Sequence, residues 1–93
     1  MSNVIRLHPA DNVGVALREL QKGEPLDCID DPVSVTLRQG IPEAHKVALA
    51  AVREGGPITK YGIQIGIATA AIRPGEHVHV HNVVSARIGG THA

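Results

Sequence analysis

Apolar and polar residues alternate with a period of two in several short stretches, the pattern of half-buried strands. Val4-Ile5-Arg6-Leu7 predicts a first short strand, and Val13-Gly14-Val15-Ala16-Leu17 a second. Between them His8-Pro9-Ala10-Asp11-Asn12 has turn chemistry, because Pro fixes φ and Asp and Asn accept local backbone hydrogen bonds. Arg18 to Lys22 reads as one helical turn closed by Gly23. Asp27 to Pro32 reads as an acidic loop with Asp30 and Asp31 in a solvated turn, and Val33 to Arg38 as a half-buried strand. Ile63 to Ile72 is rich in β-branched residues and interrupted at Gly66, where a bulge or a close backbone approach is expected. The strictest alternation runs from His77 to His81 and predicts a strand with His77, His79 and His81 on one face and Val78 and Val80 on the other. A bulge would bring Asn82 round to the histidine face.

The pattern also repeats. Val15 to Leu26 matches Val47 to Ile58 in its apolar positions, its Gly and its Pro, and Ile72-Arg73-Pro74-Gly75-Glu76-His77-Val78 is a shorter echo. Each unit is an apolar residue, a turn ending in Gly, then a strand. Two or three units are too few for a solenoid. They fit a compact, mostly β domain of short strands with pseudo-symmetric halves and one or two helical turns.

Composition narrows the picture. A chain of 93 residues with no Phe, no Trp and Tyr61 as its sole aromatic must build its core from Val, Ile, Leu and Ala. Residues 1–93 are expected to form one domain, with a core from about residue 5 to about residue 84 and a Gly-rich tail over 85–93. So small a core gains from association, either with a larger partner or as a homo-oligomer. Net charge is zero, and no basic run or aromatic platform marks a nucleic-acid surface. Cys28 has no partner in the chain and reads as a small buried hydrophobe in a reducing compartment. No secretory leader and no membrane-spanning apolar run are evident, so a cytoplasmic protein without a membrane partner is expected.

The candidate chemistry lies in the histidines. Three of six fall within five residues, and same-face neighbours on a strand are about 6.5–7 Å apart, close enough for an H-x-H pair to converge on one metal or one anion. A solvated strand face explains the same spacing. No phosphate-binding Gly motif, Ser-His-Asp ordering or CxxC is present.

Five segments in order carry a resemblance: Pro9-x-Asp11-Asn12-Val13, Leu20-x-x-Gly23-Glu24, Ile41-Pro42-x-x-His45-Lys46, Ile58-x-Lys60-Tyr61-Gly62-x-x-Ile65-Gly66 and Gly75-Glu76-x-Val78-His79-x-His81-Asn82. Together they resemble the SAF-type domain of the altronate and galactarate dehydratases. The resemblance implies a β-clip fold. It also implies a small subunit that works with a separately encoded large catalytic subunit, either in a split sugar-acid dehydratase or as the alpha subunit of a sulfolactate sulfo-lyase. Both reactions are β-eliminations from a 2-hydroxy acid to a 2-oxo acid. A divalent metal (iron, manganese or magnesium, with zinc also compatible with His and oxygen ligands) is then expected and no organic cofactor.

On this basis His79 and His81 are the expected metal ligands, with Asn82, Asn12 and Asp11 toward substrate. His45, Lys46, Lys60 and Tyr61 are the catalytic candidates. His can act as a base near neutral pH, and Lys offers a point charge to a carboxylate. Asp11 and Asn12 are equally well explained as turn caps, Lys46 and His45 as a surface loop, and Tyr61 as a packing ring. His77 is expected to be solvated. Two other classes stay open: a non-catalytic carbohydrate-binding module, for which Ile67 to Ala71 offers a flat surface, and a pure assembly subunit.

Overall fold

The structure is a computed structural model that describes residues 2–85. Among the described residues nine strands form two sheets: β1 (Val4–Ile5), β2 (Val13–Ala16), β3 (Pro25–Cys28), β4 (Asp31–Thr36), β5 (Lys46–Ala48), β6 (Pro57–Lys60), β7 (Ile63–Ala68), β8 (His77–Val78) and β9 (Val83–Ser85). The larger sheet has the order β4-β3-β1-β2-β5-β8, and the smaller β6-β7-β9. Among these strands only β1 and β3 pair in parallel. The chain is mostly β, as expected, and no helix occurs among the described residues. The expected tail lies outside the described residues, apart from Ser85 at the end of β9.

The internal repeat is the organising device, and it has four units rather than three. Leu20, Ile41, Val52 and Ile72 each precede a tight turn whose third following residue has a positive φ: Gly23 (92°), Ala44 (70°), Gly55 (82°) and Gly75 (87°). Each turn is closed by a backbone hydrogen bond, from Glu24 N to Gln21 O, His45 N to Pro42 O, Gly56 N to Arg53 O and Glu76 N to Arg73 O. Six residues past its first apolar residue, each unit buries a second one: Leu26, Val47, Ile58 and Val78. The third residue of such a turn must be left-handed, which is costly for a side chain with a Cβ and natural for Gly. The second unit hid from sequence inspection because Ala44 stands where the others have Gly.

The units pair. Leu20 and Ile41 exchange both backbone hydrogen bonds, and so do Val52 and Ile72. The first two units supply Leu20, Leu26, Ile41 and Val47 to one core cluster. The other two supply Val52, Ile58, Ile72 and Val78 to the second cluster. β5 joins the halves, since Val47 packs in one cluster and its neighbour Ala48 in the other.

Two asparagine side chains complete the ladder where backbone partners run out. Asn3 Nδ2 donates to Pro25 O while its Oδ1 accepts from Asp27 N. Asn12 does the same on β6, with Nδ2 to Pro57 O and Oδ1 from Thr59 N. An amide side chain carries one donor and one acceptor group side by side, as a peptide does. Asn12 grips where β6 and β7 lose register: Ile58 pairs with Gly66, Thr59 with Gln64, and Ile65 is the extra residue of a bulge. At Gly66 a Cβ would collide with Val83 Cγ1, so the bulge and the close approach expected there both occur.

Three expectations fail for physical reasons. Arg18 to Lys22 is no helical turn: Leu20 bridges to Ile41 and commits the backbone to strand-like pairing. The acidic loop at 27–32 is instead a hairpin, with Asp27 and Cys28 in β3, Asp31 and Pro32 in β4, and Asp30 at φ 52° in the turn. Asp31 is not a solvated turn residue but pairs with the Arg6 guanidinium. The long strand from His77 breaks after Val78, and the chain resumes as β9 at Val83.

Ala44→Gly removes a Cβ from a left-handed backbone and is expected to raise stability by about 1 kcal/mol. In a domain of this size that shifts the midpoint of a thermal melt upward by roughly 4–8 °C. Asn3→Ala removes the side-chain hydrogen bonds to Pro25 O and Asp27 N, both part-buried, and is expected to cost about 1 kcal/mol in the same measurement.

Candidate functional site

The second and fourth units meet where β5 pairs with β8. Lys46 lies opposite Val78 and Val47 opposite His77. One step further along that antiparallel register, His45 faces His79, and their rings stack at 4.3 Å between centroids. His77 is the diagonal neighbour, within reach as such pairs are. Its Nε2 and the Nδ1 of His45 share a hydrogen bond of 2.9 Å. The rings of His77 and His79 are nearly parallel at 5.4 Å, and His81 approaches His77 at 5.3 Å. One ring nitrogen from each of His45, His77 and His79 lies within 4.8 Å of the others.

The turn after β8 is held by the same amide device as β3 and β6. Asn82 Nδ2 donates to His77 O, and its Oδ1 accepts from His79 N. Asn82 N in turn donates to His79 O. The side chain thereby fixes the backbone on both sides of Val78 and sets the direction of His77 and His79. From the other flank, Gln39 Oε1 accepts from His77 N.

The electrostatics are one-signed. Burial, and then the nearby His45, His81, His79 and Lys46, push the His77 pKa down to about 4. His79 is lowered by burial first and then by His45, Lys46 and His81. Lys46 is lowered by burial and then by the Lys60 charge. His77 is therefore neutral at pH 7, with its nitrogens free to act as ligands or hydrogen-bonding groups.

A cavity of about 230 Å³ opens beside this cluster, lined by Lys46 and His79 on one side and Ile65, Val80, Val83, Val84 and Ser85 on the other. A larger, open groove of about 730 Å³ lies over the first and fourth turns, among Lys22, Arg38, Gln39, Arg73 and Glu76. It contains no histidine, and Glu76 pairs with Arg73. The smaller cavity is the one that adjoins the imidazoles.

The structure thus gathers His45, Lys46, His79 and His81 of the expected site, with the Lys60 charge acting on Lys46. It adds His77, which is not solvated but half-buried at the hub of the cluster. The imidazole nitrogens that converge belong to His45, His77 and His79 rather than to His79 and His81. The reason is the break in the strand: beyond His79 the chain turns, Val80 stands 81% exposed, and the expected two-face alternation ends.

Asp11, Asn12 and Asn82 hold backbone. Buried Asp11 accepts from Tyr61 N at 3.0 Å and Gly62 N at 2.8 Å, the two donors left free by the left-handed pair at the β6–β7 hairpin tip. Tyr61 itself is 62% exposed, with Lys60 Nζ 5.5 Å from its ring centre. Cys28 is buried in the first core cluster and its thiol pKa is pushed up by burial.

Comparison with known proteins gives the chain a family. Residues 2–86 match the altronate/galactarate dehydratase SAF domain. The chain is 45% identical over 82 residues to an altronate dehydratase of Bacillus subtilis (strain 168), an alignment covering 88% of this chain and 16% of that protein. An altronate dehydratase of Escherichia coli (strain K12) is also 45% identical, over 84% of this chain and 15% of its own length. A (2R)-sulfolactate sulfo-lyase subunit alpha of Chromohalobacter salexigens is 34% identical over 87% of this chain and 93% of its own. The chain therefore spans about one sixth of the altronate dehydratases it matches.

The lowered His77 pKa has a sign. In the unfolded chain this imidazole takes up a proton near its ordinary pKa of about 6.5, whereas in the folded chain it does so only near 4. Stability is full above the unfolded value and is lost as pH falls from about 6.5 toward 4. Thermal melts of the metal-free chain are expected to drop in midpoint across that window, and His77→Gln to flatten the drop.

Proposed function

Because the chain belongs to the altronate/galactarate dehydratase SAF-domain family, we propose that it is the small subunit of a two-chain lyase acting on a 2-hydroxy acid, with altronate- or galactarate-type sugar acids as substrate. The observation that carries the proposal is the cluster of His45, His77 and His79, of which His79, together with Lys46, lines the 230 Å³ cavity. Its polar groups are cationic or neutral, which suits a carboxylate substrate. The near end-to-end alignment with a sulfo-lyase alpha subunit supports a small chain working with a large catalytic one.

In a β-elimination the C2 proton passes to a base, and its electron pair forms the C2–C3 double bond. The C3–oxygen bond breaks, and the departing hydroxide takes a proton to become water. The enol then tautomerises to the 2-oxo acid. His45, His77 and His79 are the residues that would hold a divalent metal, which would supply Lewis-acid stabilisation of the negative charge that develops beside the substrate carboxylate. Lys46, whose pKa is lowered by burial and then by the Lys60 charge, is the residue assigned to take or return the proton. Lys60, whose ammonium lies 5.5 Å from the Tyr61 ring centre, offers a point charge to the carboxylate, and Tyr61 a hydroxyl. Asn82 is a positioning residue that aims His77 and His79, and Asp11 and Asn12 position the hairpin that carries Lys60 and Tyr61.

The partner is a large chain that covers the outer apolar face. Ile63 is 65%, Val84 51% and Val80 81% exposed. A second copy of this chain on that face would bring two cationic clusters together, whereas a chain with acidic groups there is complementary. No helix among the described residues is long and apolar enough to cross a membrane, and we place the complex in the cytoplasm. A second reading, the alpha subunit of a sulfolactate sulfo-lyase, is favoured by the 93% coverage of that relative. It keeps the same proton transfer and breaks a carbon–sulfur bond to release sulfite.

The test is to purify the chain with its large partner and supply altronate, galactarate and sulfolactate in turn. A 2-oxo acid without sulfite is expected from a sugar acid. Pyruvate with sulfite would select the second reading, and absence of both products would refute the lyase assignment. Lys46→Ala is expected to lower turnover on the order of 10²-fold. Lys46→Arg keeps the charge but cannot give up a proton, so it is expected to lose as much if Lys46 handles the proton.

A further inference from the structure

We propose that His45, His77 and His79 form a three-nitrogen metal centre with an open fourth position, and that His81 lies outside it. The inference rests on the reading above only in assigning the metal to the lyase reaction. The site itself stands on geometry.

Two ligand nitrogens on a tetrahedral ion with metal–nitrogen bonds of about 2.0–2.1 Å lie roughly 3.3 Å apart. His45 Nδ1 and His77 Nε2 are already 2.9 Å apart, joined through one shared proton. Replacing that proton by a metal ion requires the pair to open by only a few tenths of an ångström. The His79 nitrogen lies within 4.8 Å of both and closes on the ion by rotation of its ring. His81 contacts only the ring of His77, at 5.3 Å, and belongs to an exposed turn.

The backbone under the three rings is fixed before any metal arrives. His77 and His79 are tied through the Asn82 amide, and His45 is set by the turn that begins the second unit, where its N donates to Pro42 O. No carboxylate or thiolate belongs to the group among the described residues. Three imidazole nitrogens select a d-block dication such as zinc, cobalt, nickel or iron(II) over magnesium, which prefers oxygen ligands. Three protein ligands leave the fourth position for water or substrate, the arrangement of a catalytic rather than a structural site. That position faces a cavity lined by Lys46 and His79, where a 2-hydroxy acid would enter.

The test uses the full chain alone, with Co²⁺ as the probe, because its visible absorption reports coordination number. One Co²⁺ per chain with intense tetrahedral bands is expected, and isothermal titration should give one site for Co²⁺ or Zn²⁺ and none for Mg²⁺. His45→Ala and His77→Ala are each expected to weaken binding by at least 100-fold, and His81→Ala by less than about 3-fold. Loss of binding in His81→Ala with retention in His45→Ala would overturn the proposal, and so would the absence of any Co²⁺ site. If His77→Ala does not fold, His45→Ala, at the start of β5 and outside both core clusters, carries the test. The two readings separate cleanly. Co²⁺ binding without 2-oxo acid formation by the complex refutes the lyase assignment and leaves the metal centre. An active complex whose small chain binds no Co²⁺ refutes the centre and leaves the lyase.

Discussion

A tight turn with a left-handed third residue is the constraint on which the molecule depends. It is used at Leu20, Ile41, Val52 and Ile72, and each use places two buried apolar side chains six residues apart on either side of a hydrogen-bonded bend. Because the core lacks large aromatics, no single contact is worth much. Burying a Leu, Ile or Val contributes about 1.5–3 kcal/mol, so stability requires many such residues in fixed register. The turns supply the register. Their mutual bridges, Leu20 with Ile41 and Val52 with Ile72, assemble the units two by two into the two core clusters.

The histidine cluster follows from the same device. The second and fourth units run antiparallel at the β5–β8 seam, so equivalent stretches of the repeat come face to face. Where the first and third units carry Pro25 and Pro57 at the strand start, the second and fourth carry Lys46 and His77. Where the first and fourth turns carry Glu24 and Glu76, each accepting a backbone hydrogen bond of its own turn, the second carries His45. Replacing structural residues by ionisable ones at the seam where the second and fourth units meet concentrates the imidazoles.

Much of the fold was legible because local chemistry decides it. The strands, the Gly turns, the break at Gly66 and the pseudo-symmetric halves all follow from period-two patterning and turn residues. The one helical turn expected at Arg18 to Lys22 was lost to a tertiary bridge, which local pattern does not encode. The site was legible in part. His79 and His45 were visible as chemistry-bearing residues, but their partnership was not, because it depends on the register of two strands over thirty residues apart. His77 was misjudged for the same reason: alternation along one strand says nothing about what covers that strand. The signal that would have found it is Ala44, the left-handed residue that hides the second unit. Aligning Ile41 to Val47 with Ile72 to Val78 places His45-Lys46-Val47 beside Glu76-His77-Val78.

A cluster of three converging imidazoles with Lys46 alongside is an expensive thing to keep empty. Burial first, and then the neighbouring cationic groups, lower the affinity of His77, His79 and Lys46 for protons. Charges of one sign held together without a counter-ion destabilise the folded state as pH falls. Any ligand that binds the folded cluster and not the unfolded chain repays this by mass action. An anion would answer the positive charge of the lysines, and the proposed metal ion would replace the proton that His45 and His77 share. Either occupant acts on β5 and β8, the strands through which the two halves of the chain are joined, so filling the site and tightening the fold are one event.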